Sequence, residues 1–169
     1  MPVPRKARLF WPLLLGLLLT DCATKELAQE HLVPWVPEPV LGDVVRLTLA
    51  YNPGAAMSLS VGAHSRLIFS LTATIAVIGL AAMYRRTDSR ATMTVLALAM
   101  VMGGALGNLL DRIRSGRGVV DFIDLGVGDI RFWTFNVADV GVSIGAILLA
   151  WQLSKPPKDT PSGQISAPQ

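Results

Sequence analysis

Two aspartates, Asp121 and Asp139, stand in the apolar segments VVDFI and FNVAD with no cation beside them. An unpaired carboxylate is costly to bury unless it protonates or finds a partner, so we expect these two side chains to meet. Two neighbouring carboxylates cannot both ionise easily, and one keeps its proton near neutral pH while the other stays charged. Such a pair can activate one water molecule for attack on a peptide carbonyl. A helix N-terminus at Asp139 would favour its anion, but the sequence leaves open which aspartate holds the proton.

Other polar residues also interrupt apolar segments, where an ionisable side chain costs about 2.5 to 3.5 kcal/mol at the centre of a membrane helix. They are Asp21, Lys25, Asn108, Asp111, Arg112 and Asn136. Asp21 and Lys25, four residues apart, would share one helix face. Two interpretations stay open: local ion pairs, Asp21 with Lys25 and Asp111 with Arg112, that hold helix ends in register, or supports of an aspartate site.

Long apolar runs must position these residues. The chain is 51% hydrophobic and only 16% charged, whereas about a quarter of residues are charged in soluble domains. Four runs approach the roughly 20 residues that cross a bilayer, at 9–28, 67–84, 91–110 and 135–153. The sequence predicts an all-α membrane protein, a four-transmembrane-helix bundle.

Two glycine pairs with a spacing of four fall in the third and fourth runs, Gly103 with Gly107 and Gly141 with Gly145. This spacing lets helix backbones approach closely in a membrane. Each pair alone is equally compatible with a loosely packed helix rich in alanine and glycine.

The cations indicate the orientation of the bundle. They precede the first run, separate the second from the third, and follow the fourth: Arg5, Lys6, Arg8, Arg85, Arg86, Arg90, Lys155 and Lys158. The positive-inside rule places these regions and both termini in the cytoplasm, and the polar cluster at the outer face. We expect one integral membrane domain, residues 1–154, and a disordered cytoplasmic tail, residues 155–169, rich in proline and serine.

The first outer connection, residues 30–66, is long enough to hold structure. Val45, Leu47, Leu49 and Tyr51 alternate with less apolar residues, a pattern typical of a half-buried strand. A turn follows at 52–54. We therefore predict a small β-sheet on the outer membrane surface.

Several function classes are disfavoured. The net charge of +3 comes from scattered cations without interleaved aromatics, so we expect no nucleic-acid partner. Cys22 is the only cysteine and cannot form an intrachain disulfide. His31 and His64 lack the spacing of a metal site, and we expect neither a metal nor a cofactor.

The N-terminal region could itself be a lipoprotein signal sequence, because basic residues and a leucine-rich run precede Cys22. Cleavage of that type favours a small neutral residue before the cysteine, and Asp21 stands there. We therefore expect a retained helix.

Two other functions compete with the aspartate pair. In a Ser-Lys peptidase, Ser58 or Ser60 would be activated by Lys25, but Asp21 one turn away favours the charged lysine. In a small transporter, ionisable residues would be spread through the membrane depth, whereas residues 70–80 contain none.

Four motifs together carry a family resemblance: NPGAA at 52–56, GGALGNLLDR at 103–112, VVDF at 119–122 and FNVAD at 135–139. In this order and spacing they resemble the motifs of bacterial lipoprotein signal peptidase (signal peptidase II). The match spans nearly the whole chain.

The resemblance implies an aspartic endopeptidase that removes signal peptides from diacylglyceryl-modified prolipoproteins, on the amino side of the lipidated cysteine. It would act at the outer (periplasmic) face of the bacterial cytoplasmic (inner) membrane, in contact with membrane lipids, and would be inhibited by the cyclic peptide globomycin. We expect a monomer. By the same matching, Asp121 and Asp139 are catalytic. Residues expected to bind substrate or support the site are Asn52, Gly54, Asn108, Asp111, Arg112, Asn136, Asp21 and Lys25.

Two positions depart from the family pattern. Cys22 stands where glutamine is expected, and Met57 replaces the phenylalanine that commonly follows Gly-Ala-Ala. Both changes leave the aspartate pair intact, and flexible methionine can act as an apolar filler.

Overall fold

The computed structural model describes residues 3–54 and 64–155. Its four helices are α1 (Arg5–His31), α2 (Ser65–Arg86), α3 (Thr92–Arg114) and α4 (Val137–Leu153). The first three are long and apolar enough to cross a membrane. Helix α4 is apolar but has 17 residues, which at 1.5 Å per residue span about 26 Å. The predicted bundle of apolar helices is therefore confirmed, whereas a fourth membrane crossing stays a prediction.

Helix α4 begins later than the apolar run that predicted it. Phe135 is extended and bridges to Ile123, and Asn136 is the N-cap. The predicted start at residue 135 is wrong. The polar cap Asn136, and not the first residue of the apolar run, sets where the helix begins.

Helix α3 packs against each of the other three helices, and glycines make the close approaches possible. A side chain at Gly104 would overlap the carbonyl oxygen of Ala138 on α4. A Cβ at Gly145 would lie 2.9 Å from the Ala97 carbonyl oxygen on α3 and 2.7 Å from Val101 Cγ2. Of the predicted glycines, Gly145 and Gly103 lie against backbone oxygens on neighbouring helices, whereas Gly107 and Gly141 lie against side chains. The spacing therefore predicted close backbone contact at two of its four positions, and Gly104 was not predicted.

The strands are β1 (Glu38–Leu41), β2 (Val45–Asn52), β3 (Val119–Val127) and β4 (Ile130–Arg131). They form one antiparallel sheet in the order β1-β2-β3-β4, which confirms the predicted strand at residues 45–51. Leu49, Val120 and Phe122 pack against Ala28 and Leu32 at the end of α1. The sheet is thereby fixed to one end of the bundle.

We call this the sheet end; there α1 and α3 finish and α4 begins. At the opposite end, α1 and α3 begin and α2 and α4 finish. Phe10, Leu14, Val95 and Leu98 form an apolar core between α1 and α3.

Some predictions fall outside the described residues. These concern Met57, Ser58, Ser60, Lys158 and residues 156–169 of the predicted tail. The position of the sheet on the outer membrane surface and the division into a domain and a tail stay predictions.

Candidate active site

Asp139 is held in the first turn of α4 by a capping box. The backbone N–H of Asp139 donates to Asn136 Oδ1 (3.0 Å), and the backbone N–H of Asn136 donates to Asp139 Oδ2 (3.2 Å). A carboxylate in this position also lies at the positive end of the helix dipole. Both features stabilise the anion of Asp139.

Asp121 comes from the middle of β3, where it is paired with Ala50 of β2. Asp121 is 4% exposed. Its carboxyl group accepts two hydrogen bonds from side-chain amides. Asn136 Nδ2 donates to Oδ1 (2.7 Å), and Asn52 Nδ2 donates to Oδ2 (3.2 Å). Asn52 at the end of β2 and Asn136 at the cap of α4 thus hold the Asp121 carboxyl group from two sides.

Two asparagines connect the aspartates. Asn136, which is 0% exposed, touches Asp121 through its side chain and Asp139 through its backbone. Asn108 on α3 donates from Nδ2 to Asp139 Oδ1 (2.8 Å) and accepts from Asn136 Nδ2 (3.1 Å). One short amide network therefore joins both carboxyl groups.

The two aspartates are electrostatically distinct. Burial first, and then the neighbouring Asp139 carboxylate, raise the pKa of Asp121 from 3.8 to about 7, against the opposing effect of the bonds from Asn52 and Asn136. Near neutral pH a large fraction of Asp121 therefore carries a proton. Two adjacent carboxyl groups can act as an acid and a base when one of them is protonated and the other is charged.

Lys25 lies beneath this network and is 2% exposed. Its ammonium group contacts Asp21 Oδ2 (2.7 Å) and Asp111 Oδ2 (2.9 Å). The prediction of an ion pair between Asp21 and Lys25 is confirmed, but the predicted partner of Asp111 is wrong. Asp111 turns towards Lys25 of another helix, because its neighbour Arg112 is occupied elsewhere.

Arg112 connects α3 to the turn after β2. Its Nη2 donates to the Gly54 carbonyl oxygen (2.8 Å) and its Nη1 to the Asn108 carbonyl oxygen (3.0 Å). The backbone N–H of Gly54 also donates to Asn52 Oδ1 (3.0 Å). The structure thus brings all ten predicted site residues into one network, while their catalytic and supporting roles stay predictions.

Both aspartates line a cavity of about 630 Å³. Aromatic residues form much of its wall, and the apolar side of α4 continues it: Trp35, Phe132, Trp133, Phe135, Val140 and Ile144. Sequence reasoning missed this wall. The signal was the aromatic cluster FWTF at 132–135, directly before the FNVAD motif.

In the described part of the chain, no three His, Cys, Asp or Glu side chains are placed to hold a metal ion. Cys22 is a partly buried free thiol. The cavity is lined by the carboxyl groups of Asp121 and Asp139 and by apolar side chains, a setting in which carboxyl groups can carry out acid-base chemistry.

The profile of the family described as "Signal peptidase (SPase) II" matches residues 13–155. The chain belongs to the signal peptidase II family. Every predicted site residue lies within the region that matches this family, and the resemblance drawn from the four motifs is confirmed.

Relatives and solved structures agree with this placement. The lipoprotein signal peptidase of Moorella thermoacetica is 41% identical over 147 residues, covering 85% of this chain and 93% of that protein. That of Hydrogenovibrio crunogenus is 40% identical over 135 residues, covering 79% and 77%. A bacterial membrane enzyme solved by the in meso method at 2.3 Å resolution superposes with a TM-score of 0.76 and 26% identity, covering 88% of this chain and 92% of the other.

Proposed function

We propose that this signal peptidase II family member is an aspartic endopeptidase that removes signal peptides from diacylglyceryl-modified prolipoproteins. Cleavage would fall on the amino side of the lipidated cysteine. Family membership and the names of the relatives support the removal of signal peptides from prolipoproteins. The observation that carries the aspartic mechanism is the pair Asp121 and Asp139, joined through Asn136 in one cavity.

The environments of the two carboxyl groups support different starting roles. Asp139 accepts from the Asn108 side chain and the Asn136 backbone at the start of a helix, which favours its anion. Asp121 has a pKa raised to about 7 by burial and by Asp139, which favours its acid form. The bond from Asn136 to Asp121 Oδ1 is shorter than the bond from Asn52 to Oδ2, so Oδ2 is the better position for the proton.

The reaction follows from these roles. Asp139 takes a proton from a water molecule as the water oxygen bonds to the scissile carbonyl carbon, while protonated Asp121 donates its proton to the carbonyl oxygen. The tetrahedral intermediate then collapses, and the carbon–nitrogen bond breaks. Asp139 passes its proton to the leaving cysteine amine, and Asp121 recovers its proton from the hydroxyl that becomes the carbonyl.

The place of the site in the bundle suits a lipid-anchored substrate. The aspartates lie at the sheet end, where the apolar helices finish, and the cavity continues along Val140 and Ile144 of α4. Acyl chains and water can both reach such a boundary. We further propose that the chain crosses the bacterial inner membrane four times and is a monomer. We also expect globomycin to inhibit it. Its cations at the opposite end would face the cytoplasm, and the site the periplasm.

The Ser-Lys alternative is disfavoured by the contacts of Lys25. A lysine that acts as a base must be neutral, whereas this ammonium group touches two carboxylates. The transporter alternative is disfavoured by the position of the buried ionisable residues within the described chain. They lie at the sheet end and not through the depth of the bundle.

The proposed function is tested with purified chain and a synthetic prolipoprotein segment carrying a diacylglyceryl cysteine. We expect mass spectrometry to find a product that begins at the lipidated cysteine, and no product from the same peptide without the lipid. An intact lipidated peptide after prolonged incubation, or cleavage at another bond, would overturn the proposal.

A further inference from the structure

Lys25 stands at the centre of three contacts that lead to the aspartate pair. Its ammonium group touches Asp21 Oδ2 at 2.7 Å, Asp111 Oδ2 at 2.9 Å and Asn108 Oδ1 at 2.9 Å. With 2% exposure, it has little access to water. Each of its three partners makes a second contact, and these contacts converge on the aspartate pair.

The first two partners accept hydrogen bonds from the backbone of the residue that precedes each aspartate. Asp21 Oδ1 accepts from the backbone N–H of Ala138 (2.8 Å), the residue before Asp139. Asp111 Oδ2 accepts from the backbone N–H of Val120 (3.1 Å), the residue before Asp121. One ammonium group thus ties together the two carboxylates that anchor β3 and α4 at these points.

The third partner, Asn108, reaches the Asp139 carboxylate itself. Its oxygen accepts from Lys25 Nζ and from Asn136 Nδ2, while its Nδ2 donates to Asp139 Oδ1. Reversal of this amide would place its N–H group against an ammonium group and its oxygen against a carboxylate. The charge of Lys25 and the N–H group of Asn136 therefore both favour the orientation in which the N–H group of Asn108 faces Asp139.

We propose that Lys25 is a positioning residue that holds both aspartates in the geometry for cleavage and orients Asn108 as a donor to Asp139. This inference rests on the proposed function and adds a cause to it. If Lys25 only stabilised the fold, any neutral, well-packed side chain could replace it. Lys25 also needs its positive charge next to the oxygen of Asn108.

The first test is Lys25→Met, with Lys6→Met as the matched control. Lys6 is on the same helix but donates to backbone carbonyls of residues 84, 85 and 87 at the opposite end. We expect Lys25→Met to lower kcat about 100-fold, because misplacement by about 1 Å costs that much, with KM within about threefold. Lys6→Met should leave kcat within about twofold of wild type, as expected for a change away from the site.

Loss of Lys25 also leaves Asp21 and Asp111 buried without a counter-charge, which would itself lower stability. The decisive variant is therefore the neutral triple substitution Lys25→Met, Asp21→Asn and Asp111→Asn. Each asparagine retains an oxygen that can accept the backbone N–H of Ala138 or Val120. We expect the triple variant to regain most of the melting temperature lost in Lys25→Met, while its kcat stays low.

The outcomes separate the two proposals. If wild type cleaves the peptide and the triple variant regains kcat along with its stability, the positioning role is overturned and the proposed function stands. A triple variant that is stable but slow, with an unchanged KM, supports it. A wild-type chain that leaves the lipidated peptide intact would overturn the proposed function, and the positioning role with it.

Discussion

The two ends of the bundle hold their charged residues in different ways. At the sheet end, Lys25 is buried and contacts two carboxylates and one amide. At the opposite end, Lys6 donates to three backbone carbonyls where α2 finishes. Exposed arginines follow there, Arg85, Arg86 and Arg90.

This difference separates charge that assists folding from charge that builds a site. A cation at the C-terminus of a helix satisfies free carbonyls and the helix dipole, and solvent screens much of its effect. Buried ions lose their hydration, and breaking such a group is strongly destabilising. At the sheet end the buried ions lie next to Asp121 and Asp139, which we propose to be catalytic, so we expect substitutions there to change catalysis as well as stability.

Among the tests of the contrast between the two ends, the largest effect is expected from overpacking at the sheet end. Alanine at Gly104 would overlap the Ala138 carbonyl oxygen at the start of α4, and such overpacking costs about 1–3 kcal/mol. The shift would also move Asp139. We expect Gly104→Ala to lower the melting temperature and to lower kcat about 100-fold when measured well below that temperature.

Gly145→Ala is the matched control for this prediction. It overpacks α4 against Ala97 and Val101, away from the aspartates, and should lower stability while leaving kcat near wild type. Equal losses of kcat in both variants would remove the distinction between the two ends.

The second prediction concerns the pH dependence of stability. The pKa of Asp121 rises from 3.8 to about 7 on folding, so between these values the folded chain binds more protons than the unfolded chain. The free energy of unfolding should therefore fall as the pH rises through this range. Asp121→Asn cannot ionise, and we expect it to flatten this fall in unfolding experiments between about pH 4 and pH 8.

Asp88 provides the control, because it is an exposed carboxylate at the opposite end. Asp88→Asn should leave the slope of stability against pH as in wild type. A wild-type slope retained in Asp121→Asn would show that this carboxyl group does not carry the buried proton.

The smallest effect is expected from salt. At about 1 M salt the Debye length is about 3 Å, so the half-buried Lys6 should lose more of its influence than the fully buried Lys25. The difference in melting temperature between wild type and Lys6→Met should shrink as salt is added. The difference for Lys25→Met should persist, and parallel losses in both would contradict the assigned difference in burial.

The sequence predicted features that depend on local pattern. The apolar runs located the helices, the alternation of Val45 to Tyr51 located β2, and the glycine spacing indicated close backbone contact. Asp121 and Asp139 stood out because no local cation could pair with them. Each of these signals lies within a few neighbouring residues.

Other features depend on contacts between distant segments. Asp111 pairs with Lys25 and not with adjacent Arg112, since the end of α1 lies against α3 and the guanidinium group is occupied by the Gly54 carbonyl. The aromatic wall of the cavity was missed because the fold brings Trp35 next to residues 132–135, which are far from it in sequence. The start of α4 was misplaced because Phe135, which lies before the helix, continues its apolar run.

We propose that Asp121 and Asp139 together perform the cleavage. The most direct measurement is a mobility-shift assay with diacylglyceryl-modified prolipoprotein, comparing wild type with Asp121→Asn and Asp139→Asn at matched folded concentrations. We predict complete processing by wild type and a loss of at least about 10³-fold in each variant, as for removal of an essential acid or base. Processing by either variant within about tenfold of the wild-type rate would contradict the claim.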